Sequence, residues 1–520
     1  MTRRPAVAIA AAALLVASPA VAQDVTVTVN TEAEGPHLSR HLFGQFAEHL
    51  GEGIYGGVWV GQDSTIPNVR GIRTDVVEAL RHIRVPNVRY PGGCFADEYH
   101  WRDGVGPDRR TTVNANWGGA LEPNTFGTNE FYDFIDQIGA EAFISVNVGS
   151  GTIQEAADWM AYMTADEQSS AGQERAANGH PEQYEVRFLG IGNESWGCGG
   201  NMRPEHYVDL LKRHARFDRN YNAAQTGERT MERVAVGPSD ADTRYTEAVM
   251  AAWAGRDWSW SIEGLSLHSY TVPQWPPSLP STEFSEDDYA LILSTTLDMD
   301  RRIRLHSEIM DRYDPEREVA LVVDEWGVWL AEDPGTQQGF LQQQNSLRDG
   351  ILAALNFNIF ARHGDRVRGA NIAQMVNVLQ ALILTDGPRM VLTPTYYVHE
   401  LYLPMQDATL VPVEFDAGEY VRGALTLPGV DAIAFRDTTG TLHVALVNLD
   451  PREEREIAIE LGDRSVSSAH GRVMTGANVN SINTFDDPDA VTLQPISGRV
   501  SGGQVTVQLP AKSVAVLALQ

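Results

Sequence analysis

The chain contains only two cysteines, Cys94 and Cys198, among its 520 residues. They can form one bridge at most, so the sequence is not a small fold held together by several disulfides. A Cys94–Cys198 disulfide and two buried thiols are both open interpretations. A chain of this length can bury a large core, so its stability must come from packing.

Positive charge is also scarce. The chain has 40 lysines and arginines against 69 aspartates and glutamates, which gives a formal net charge of −29. Because a surface this acidic repels nucleic acid and anionic membranes, we expect neither as a partner. The charge does not argue against a neutral substrate. After the first 22 residues, no stretch is long and apolar enough to be a membrane span.

One alanine-rich apolar run lies at the start of the chain, in MTRRPAVAIAAAALLVASPAVA (1–22). Two early arginines, an apolar stretch and a small-residue ending are typical of a secretory signal peptide. We therefore expect cleavage before Gln23 and a secreted or periplasmic protein. Residues 1–22 are left out of the fold prediction.

Three common catalytic or metal-binding motifs are missing. The 14 histidines include no His-Glu-x-x-His pair, and there is no Cys-x-x-Cys, which argues against a zinc hydrolase. No Gly-x-Ser-x-Gly segment is present, which argues against a serine hydrolase of the α/β-hydrolase type. We expect neither a metal nor a cofactor.

The sequence does contain a regular alternation of short apolar runs and longer amphipathic segments. The amphipathic segments include 75–82, 129–138, 205–220 and 290–313. Eight strand–helix units favour a parallel (β/α)₈ barrel, with a doubly wound sheet as the alternative. The eight predicted strands are HLFGQFAE, PNVRYPGG, AFISVNVG, VRFLGIGNE, RVAVGPS, IEGLSLHSY, VALVVDEW and GANIAQMVN.

After about residue 395 the pattern changes to alternation with period two, as in EIAIELGD, QVTVQLP and SVAVLALQ. This alternation between turn residues is typical of an antiparallel β-sandwich. DVTVTVN near the start alternates in the same way. The predicted organisation is a signal peptide (1–22), an N-terminal strand that joins the sandwich (23–35), a catalytic barrel (36–394) and a C-terminal β-sandwich (395–520).

Polar residues stand at the ends of several predicted strands. In a barrel of this kind the C-terminal ends of the strands form the active-site face. Each residue alone has a structural interpretation as a hydrogen-bonding group, but their convergence on one rim indicates an active site. These residues are Glu48, Arg89, Asn193, Glu194, His268, Tyr270, Asp324, Glu325 and Gln374.

Glu194 and Glu325, on the fourth and seventh strands, form the pair of carboxyl groups that glycoside hydrolysis needs. One acid protonates the leaving oxygen while the other carboxylate attacks the sugar or activates water. The GIGNESWGCGG segment around Glu194 has two other interpretations, a dinucleotide-binding turn and a glycosylation sequon. Ser195 replaces the third glycine of that turn, and a cleft position for Asn193 argues against the sequon.

The sequence resembles glycoside hydrolase family 51, the α-L-arabinofuranosidases, across essentially the whole chain after residue 22. The resemblance implies a retaining, exo-acting enzyme that releases terminal α-L-arabinofuranosyl residues from arabinan, arabinoxylan or derived oligosaccharides. It also implies a homo-oligomer, which is a hexamer in many relatives. The segments that carry it are FGQFAEHLGEGIYGGVWVG, VRYPGGCFADEYHWRDGVGP, EPNTFGTNEF, RAANGHPEQY, GIGNE, HSYT, VDEWGVW, NIAQMVNV and TFDDPDAV.

The resemblance further implies roles for single residues. Glu194 matches the general acid/base and Glu325 the nucleophile, whose carboxyl groups are about 5–5.5 Å apart in retaining enzymes. Arg89 matches the arginine beside the nucleophile, Asn193 the asparagine that binds the sugar 2-hydroxyl, and Tyr270 a residue that orients Glu325. The other expected substrate-binding residues are Glu48, Cys94, His268, Gln374 and the aromatic wall residue Trp329.

Departures from the family pattern lie at the rim. Gly327 stands where many relatives have asparagine, and SWGCGG follows the acid/base, so aglycone preference stays open. The TVPQWPPSLPSTEF segment is either a substrate border or a stiff surface loop. β-Xylosidase, galactofuranosidase and endoglucanase activities on the same framework are alternatives. A non-catalytic carbohydrate-binding protein is another, although it has no use for two opposed glutamates.

Overall fold

The computed structural model of this chain describes residues 25–462 and 464–520. Strand β1 (Val25–Val29) belongs to the C-terminal sheet. Eight further strands close into a parallel barrel, which confirms the predicted fold class. They are β2 (Gly44–Phe46), β3 (Asn87–Tyr90), β4 (Glu141–Val146), β5 (Phe188–Ile191), β6 (Glu232–Ala235), β7 (Gly264–Thr271), β8 (Ala320–Val328) and β9 (Val367–Ile372).

A helix follows each barrel strand and covers its outer side. Strand β8 is buried at all nine positions, as expected for a parallel strand covered on both faces. The helices are α1 (Thr74–His82), α2 (Thr128–Ile138), α3 (Ile153–Thr164), α4 (Ser170–Ala177), α5 (Pro204–Phe217), α6 (Arg244–Ala254), α7 (Glu286–Tyr313), α8 (Leu347–Arg362) and α9 (Pro394–Leu401).

Helix α2 illustrates how the sequence specifies these helices. Phe131, Phe134, Ile135 and Ile138 recur at helical spacing and are buried against the barrel. The helix ends at Gly139, whose φ of 74° is in the left-handed region that favours glycine. The next residues return as strand β4.

The C-terminal sheet has ten strands in the order β10-β12-β13-β18-β15-β16-β17-β14-β1-β11. Its two halves pack face to face around apolar side chains such as Val27, Leu446, Ile459 and Leu517, which confirms the predicted sandwich. The strands are β10 (Thr409–Val411), β11 (Val413–Phe415), β12 (Val430–Arg436), β13 (Leu442–Asn448), β14 (Arg455–Glu460), β15 (Ala469–Met474), β16 (Leu493–Ser501), β17 (Gln504–Leu509) and β18 (Ser513–Leu519).

Strand β1 runs parallel to β14 and antiparallel to β11. The period-two pattern cannot indicate this direction, because side chains alternate in the same way in both kinds of pairing. In the described residues, no helix combines the length and apolarity needed to span a membrane. Two-stranded ribbons extend the core at Asn68–Val69 with Ile72–Arg73, Thr112–Asn114 with Ala120–Glu122, Ile383–Asp386 with Arg389–Leu392, and Glu419–Arg422 with Leu425–Pro428.

Candidate active site

Glu325 lies near the C-terminal end of β8, next to an irregularity in the strand pairing. Ser266 pairs with Val322 but His268 pairs with Glu325, so β8 has one residue more than β7 between these pairs. A bulge of this kind re-aims side chains that would otherwise alternate between faces. Asp324 and Glu325 are consecutive, yet both carboxyl groups contact His268 at the barrel mouth.

Both oxygens of Glu325 are held by hydrogen bonds. Arg89 Nη1 donates to Oε1 at 2.8 Å, and Tyr270 Oη donates to Oε2 at 2.9 Å. Gly93 packs against the same carboxylate so closely that a Cβ atom there would lie 2.7 Å from Oε1. Gly93, the second glycine of the Pro-Gly-Gly segment, therefore leaves the space that Glu325 occupies.

Glu194 follows β5 and has a φ of 38°, in a region that non-glycine residues rarely occupy. Strain of this kind persists where the surrounding structure imposes it, and it clusters at functional sites. Burial raises the pKa of Glu194 above its ordinary value, and the charge of Glu325 adds to this rise against the opposing hydrogen bond of His268. A raised pKa suits a general acid, which must carry a proton at neutral pH.

His268 lies between the two glutamates. Its Nδ1 is 2.8 Å from Glu194 Oε1 and 3.3 Å from Glu325 Oε2. Burial disfavours a charge on the ring, but the carboxylates of Glu325, Asp324 and Glu194 outweigh it and raise the pKa of His268 to about 10. One oxygen of Glu194 and one of Glu325 lie within 4.8 Å of each other around this imidazolium.

Arg89 connects Glu325 to Asn193. The guanidinium is buried, donates through Nη2 to Asn193 Oδ1 at 2.7 Å, and has Nε 3.4 Å from Asp324 Oδ2. Burial opposes ionisation of Asp324, but Arg89 and His268 together hold its pKa below the usual range. Asn193 Oδ1 faces Arg89, and Nδ2 lies 3.8 Å from Cys198 Sγ, so only one of its two N–H groups is left as a donor in the cleft.

A polar wall centred on Glu48 closes one side of the site. Glu48 Oε1 accepts hydrogen bonds from the amides of Gly93 and Phe95 at 3.0 and 3.1 Å and from Trp117 Nε1 at 3.0 Å. Gln374 Nε2 donates to Glu48 Oε2 at 2.9 Å. Burial, followed by the charge of Glu325, raises the pKa of Glu48 to about 7 against these hydrogen bonds.

Gln374 also has an acceptor without a partner. Its Oε1 is buried and forms no hydrogen bond with any described residue. Buried polar atoms are nearly always paired, so an orphan in a cleft calls for a ligand or a water. A sugar hydroxyl would satisfy this atom.

Cys94 and Cys198 form a disulfide, so the interpretation as two thiols does not describe this structure. The bridge joins the loop after β3 to the loop after β5, which carries Glu194. Cys198 Sγ is 3.5 Å from Glu194 Oε2. The predicted substrate-binding residue Cys94 is thus at the rim, and the bridge restrains the loop that carries Glu194.

Trp329 extends the site outward from Tyr270. The two rings meet edge to face with centroids 5.2 Å apart, and Trp275 contacts Trp329 at the same centroid distance. Trp275 is 69% exposed. It belongs to TVPQWPPSLPSTEF, so this segment lies at the rim of the site, which favours its interpretation as a substrate border.

Sequence reasoning missed two residues that organise the site. Asp97 is buried and accepts hydrogen bonds from the amides of Val148, Gly149 and Asn193 at 2.6, 2.9 and 2.8 Å. Trp117 lies in a loop between two short strands, and its Nε1 donates to Glu48 Oε1. Asp97 lies inside a segment that carried the resemblance, but no local pattern marks either residue.

Comparisons with known proteins agree with this geometry. Residues 79–278 match the family model of the alpha-L-arabinofuranosidase 1 domain, and residues 324–513 match that of the alpha-L-arabinofuranosidase C-terminal domain. An intracellular exo-alpha-L-arabinofuranosidase from Bacteroides ovatus is 45% identical over 503 residues, which cover 96% of each chain. An intracellular exo-alpha-(1->5)-L-arabinofuranosidase from Bifidobacterium longum is 26% identical over 95% of this chain and 92% of its own.

These relatives contradict the predicted secreted or periplasmic location, because both are named intracellular. Residues 1–22, on which the predicted signal peptide depends, lie outside the described residues. That prediction used only the pattern of residues 1–22: two early arginines, an apolar run and a small-residue ending. An alanine-rich run is a weak signal for export, because alanine is also the strongest helix former in soluble proteins.

Solved structures are similar over nearly the whole chain. The crystal structure of the GH51 arabinofuranosidase from Xanthomonas axonopodis pv. citri has a TM-score of 0.92 and 49% identity, and covers 96% of this chain and 100% of its own. The arabinose complex of the alpha-L-arabinofuranosidase from Thermotoga maritima has a TM-score of 0.83 and 30% identity over 95% and 99%. This chain belongs to the glycoside hydrolase family 51 α-L-arabinofuranosidases.

Proposed function

We propose that this chain releases terminal α-L-arabinofuranosyl residues by a double displacement in which Glu325 is the nucleophile and Glu194 the acid/base. The observation that carries the proposal is that one carboxyl oxygen of Glu194 and one of Glu325 lie within 4.8 Å of each other around His268. Retaining glycosidases hold these groups about 5–5.5 Å apart, and inverting enzymes about 6.5–9.5 Å apart to admit a water molecule.

In the first step, a Glu325 oxygen forms a bond to the anomeric carbon as the bond to the leaving oxygen breaks. Arg89 and Tyr270 fix the carboxylate of Glu325 for this attack. Glu194 gives its proton to the leaving oxygen, and its raised pKa supports this role.

In the second step, the carboxylate of Glu194 takes a proton from water, and the water oxygen bonds to the anomeric carbon. The bond to Glu325 breaks and restores its carboxylate. His268 stays charged near neutral pH, since its pKa is raised to about 10, so it stabilises each glutamate when that glutamate is ionised.

The sugar is bound by the polar groups that line the cleft. Asn193 Nδ2 is placed to donate to the 2-hydroxyl, a contact that strengthens in the transition state of glycoside hydrolysis. Glu48 and the unpaired Oε1 of Gln374 are acceptors for other hydroxyls. Trp329 and Trp275 lie outward from these groups, where the aglycone leaves the cleft.

The proposed substrates are arabinan, arabinoxylan and oligosaccharides derived from them. The name of the Bifidobacterium longum relative specifies an α-(1→5) linkage, so linear α-(1→5)-arabinotriose is the first natural substrate to test. An arabinose-substituted xylotriose tests the arabinoxylan alternative. The hexamer implied by the family resemblance is tested by sedimentation velocity.

A panel of aryl glycosides tests the activity, with the anomer formed first followed by proton NMR. We expect hydrolysis of the α-L-arabinofuranoside with retention, and rates at least about tenfold lower on the β-D-xyloside and β-D-galactofuranoside, because a substrate-shaped polar site penalises unpaired hydroxyl partners. Faster hydrolysis of another glycoside, or an inverted first product, would contradict the proposal.

A further inference from the structure

A patch of positive charge lies on the outside of the barrel in an otherwise acidic protein. The last turns of α5 and the loop between α6 and β7 enclose a groove of about 420 Å³. We call this patch the basic groove. Its defining residues are Lys212, Arg213, Arg216, Arg256, Trp260 and the adjacent Trp258.

The basic groove is remote from the catalytic glutamates. Helix α5 ends, and strand β7 begins, at the end of the barrel where the strands start. Glu194 and Glu325 lie at the C-terminal ends of their strands, which is the opposite end. A ligand in the groove is therefore separate from the sugar bound for cleavage.

Most of the cations around the groove have no anionic partner. Of its four basic residues, only Arg256 forms an ion pair among the described residues, with Glu318 at 3.5 Å. Lys212 and Arg216 are four positions apart on α5, and like charges at this spacing destabilise a helix. These cations therefore favour the binding of an anion in the groove.

One acid also lines the groove. The Asp257 carboxylate accepts hydrogen bonds from the amide and hydroxyl of Ser259 at 2.8 and 2.6 Å. These bonds lower the pKa of Asp257, so it is ionised and offsets part of the positive charge. The remaining excess of cations still favours an anionic ligand.

Planar aromatic rings accompany the cations. Trp258 is 87% exposed, with the Arg216 guanidinium carbon 5.5 Å from its ring centroid. Lys212 Nζ lies 5.9 Å from the ring of Trp260. An exposed tryptophan leaves a large apolar face in water, which is typical of an interaction site. Indole faces stack on sugar rings, and the neighbouring cations can bind carboxylates.

We propose that the basic groove is a non-catalytic binding site for an acidic polysaccharide that carries uronate residues. The sugar ring stacks on Trp258, and its carboxylate binds Arg216 and Lys212. The choice of a carbohydrate rests on the proposed function, because a polymer that carries arabinofuranosyl side chains can then be held at both sites. The net charge of −29 opposes every polyanion alike, so a short RNA is included in the test as the competing anionic polymer.

Affinity electrophoresis of the full chain in gels that contain polygalacturonate, neutral linear arabinan or no polymer tests this site. We expect polygalacturonate to retard the wild type, and added salt to weaken the retardation because it screens the charges. Trp258→Ala and Arg216→Ala should each weaken binding about tenfold or more, since each removes a stacking or ionic contact.

Matched controls are available elsewhere on the surface. Val421→Ala removes another exposed apolar side chain, on the Glu419–Arg422 ribbon, and Arg301→Ala removes another exposed arginine that lies on α7. Neither should change the retardation by polygalacturonate. Hydrolysis of a small aryl arabinofuranoside by Trp258→Ala and Arg216→Ala should equal that of the wild type. Binding therefore reports on the groove even if the proposed catalytic function is wrong.

Several outcomes would overturn the proposal. Unchanged binding in both groove variants would show that polygalacturonate binds elsewhere. If Trp258→Ala lost as much retardation by neutral arabinan as by polygalacturonate, or if it weakened binding of a short RNA equally, uronates would not be what the groove recognises. Dissociation of an oligomer by Trp258→Ala in sedimentation velocity would instead make the groove a subunit interface.

Discussion

Replacement of Arg89 by lysine tests whether a fixed guanidinium, and not only positive charge, organises the active site. Arg89 donates to Glu325 Oε1 and Asn193 Oδ1 through two different nitrogens, at 2.8 and 2.7 Å. A lysine ammonium keeps the charge but lacks the planar fork that reaches both partners. At least one of the two hydrogen bonds that the charged Arg89 guanidinium donates is then lost.

The expected size of the effect follows from that loss. A hydrogen bond to a charged group contributes about 1.5–3 kcal/mol. If the bond acts in the transition state, kcat/KM on an aryl arabinofuranoside should fall roughly 10- to 150-fold, at about 1.4 kcal/mol for each factor of ten. Thermal stability should change far less than in Arg89→Met, which removes one of the two cations beside the buried Asp324 and Glu325 and should cost about 3–5 kcal/mol. Full activity in Arg89→Lys, with unchanged stability, would refute the reasoning.

Three further predictions concern groups around the glutamates. Asp97→Asn should lower kcat more than it raises KM, because Asp97 accepts hydrogen bonds from three backbone amides and one of these belongs to Asn193, beside Glu194. An unchanged kcat would contradict this. Folding raises the pKa of His268 from 6.5 to about 10, so its stabilising charge is fully present below pH 6.5 and is lost as pH rises through 10. The difference in unfolding free energy between the wild type and His268→Gln should therefore narrow from pH 6 to pH 10 in urea titrations, and a constant gap would argue against a charged ring. The unfolded, unreduced protein should show no free thiol and the reduced protein two, whereas two thiols before reduction would exclude the Cys94–Cys198 bridge.

The barrel could be predicted because each of its layers leaves a distinct pattern in the sequence. Strands covered on both sides are continuous apolar runs, as in β8, and amphipathic helices such as α2 separate them. Strand ends then place polar residues on one face, which is why Glu194 and Glu325 could be paired from the sequence.

Contacts that depend on tertiary structure could not be predicted from the sequence. The bulge that brings Asp324 and Glu325 together is visible only when the pairing of β7 and β8 is known. Asp97 acts through backbone amides of two distant segments, and backbone amides carry no sequence signal. The location of the protein was predicted from a signal-peptide pattern in residues 1–22, and relatives that are named intracellular contradict it.

Azide rescue of alanine variants tests the two glutamate roles most directly. Glu194→Ala should still form the glycosyl-enzyme from an activated aryl substrate, because a good leaving group needs little protonation. Azide, which needs no general base, should then restore turnover and give a glycosyl azide with the configuration of the substrate. Glu325→Ala cannot form that intermediate, so azide can enter only from the vacated side and any product should be inverted. The opposite result in the two variants would mean that Glu325 is the acid/base and Glu194 the nucleophile.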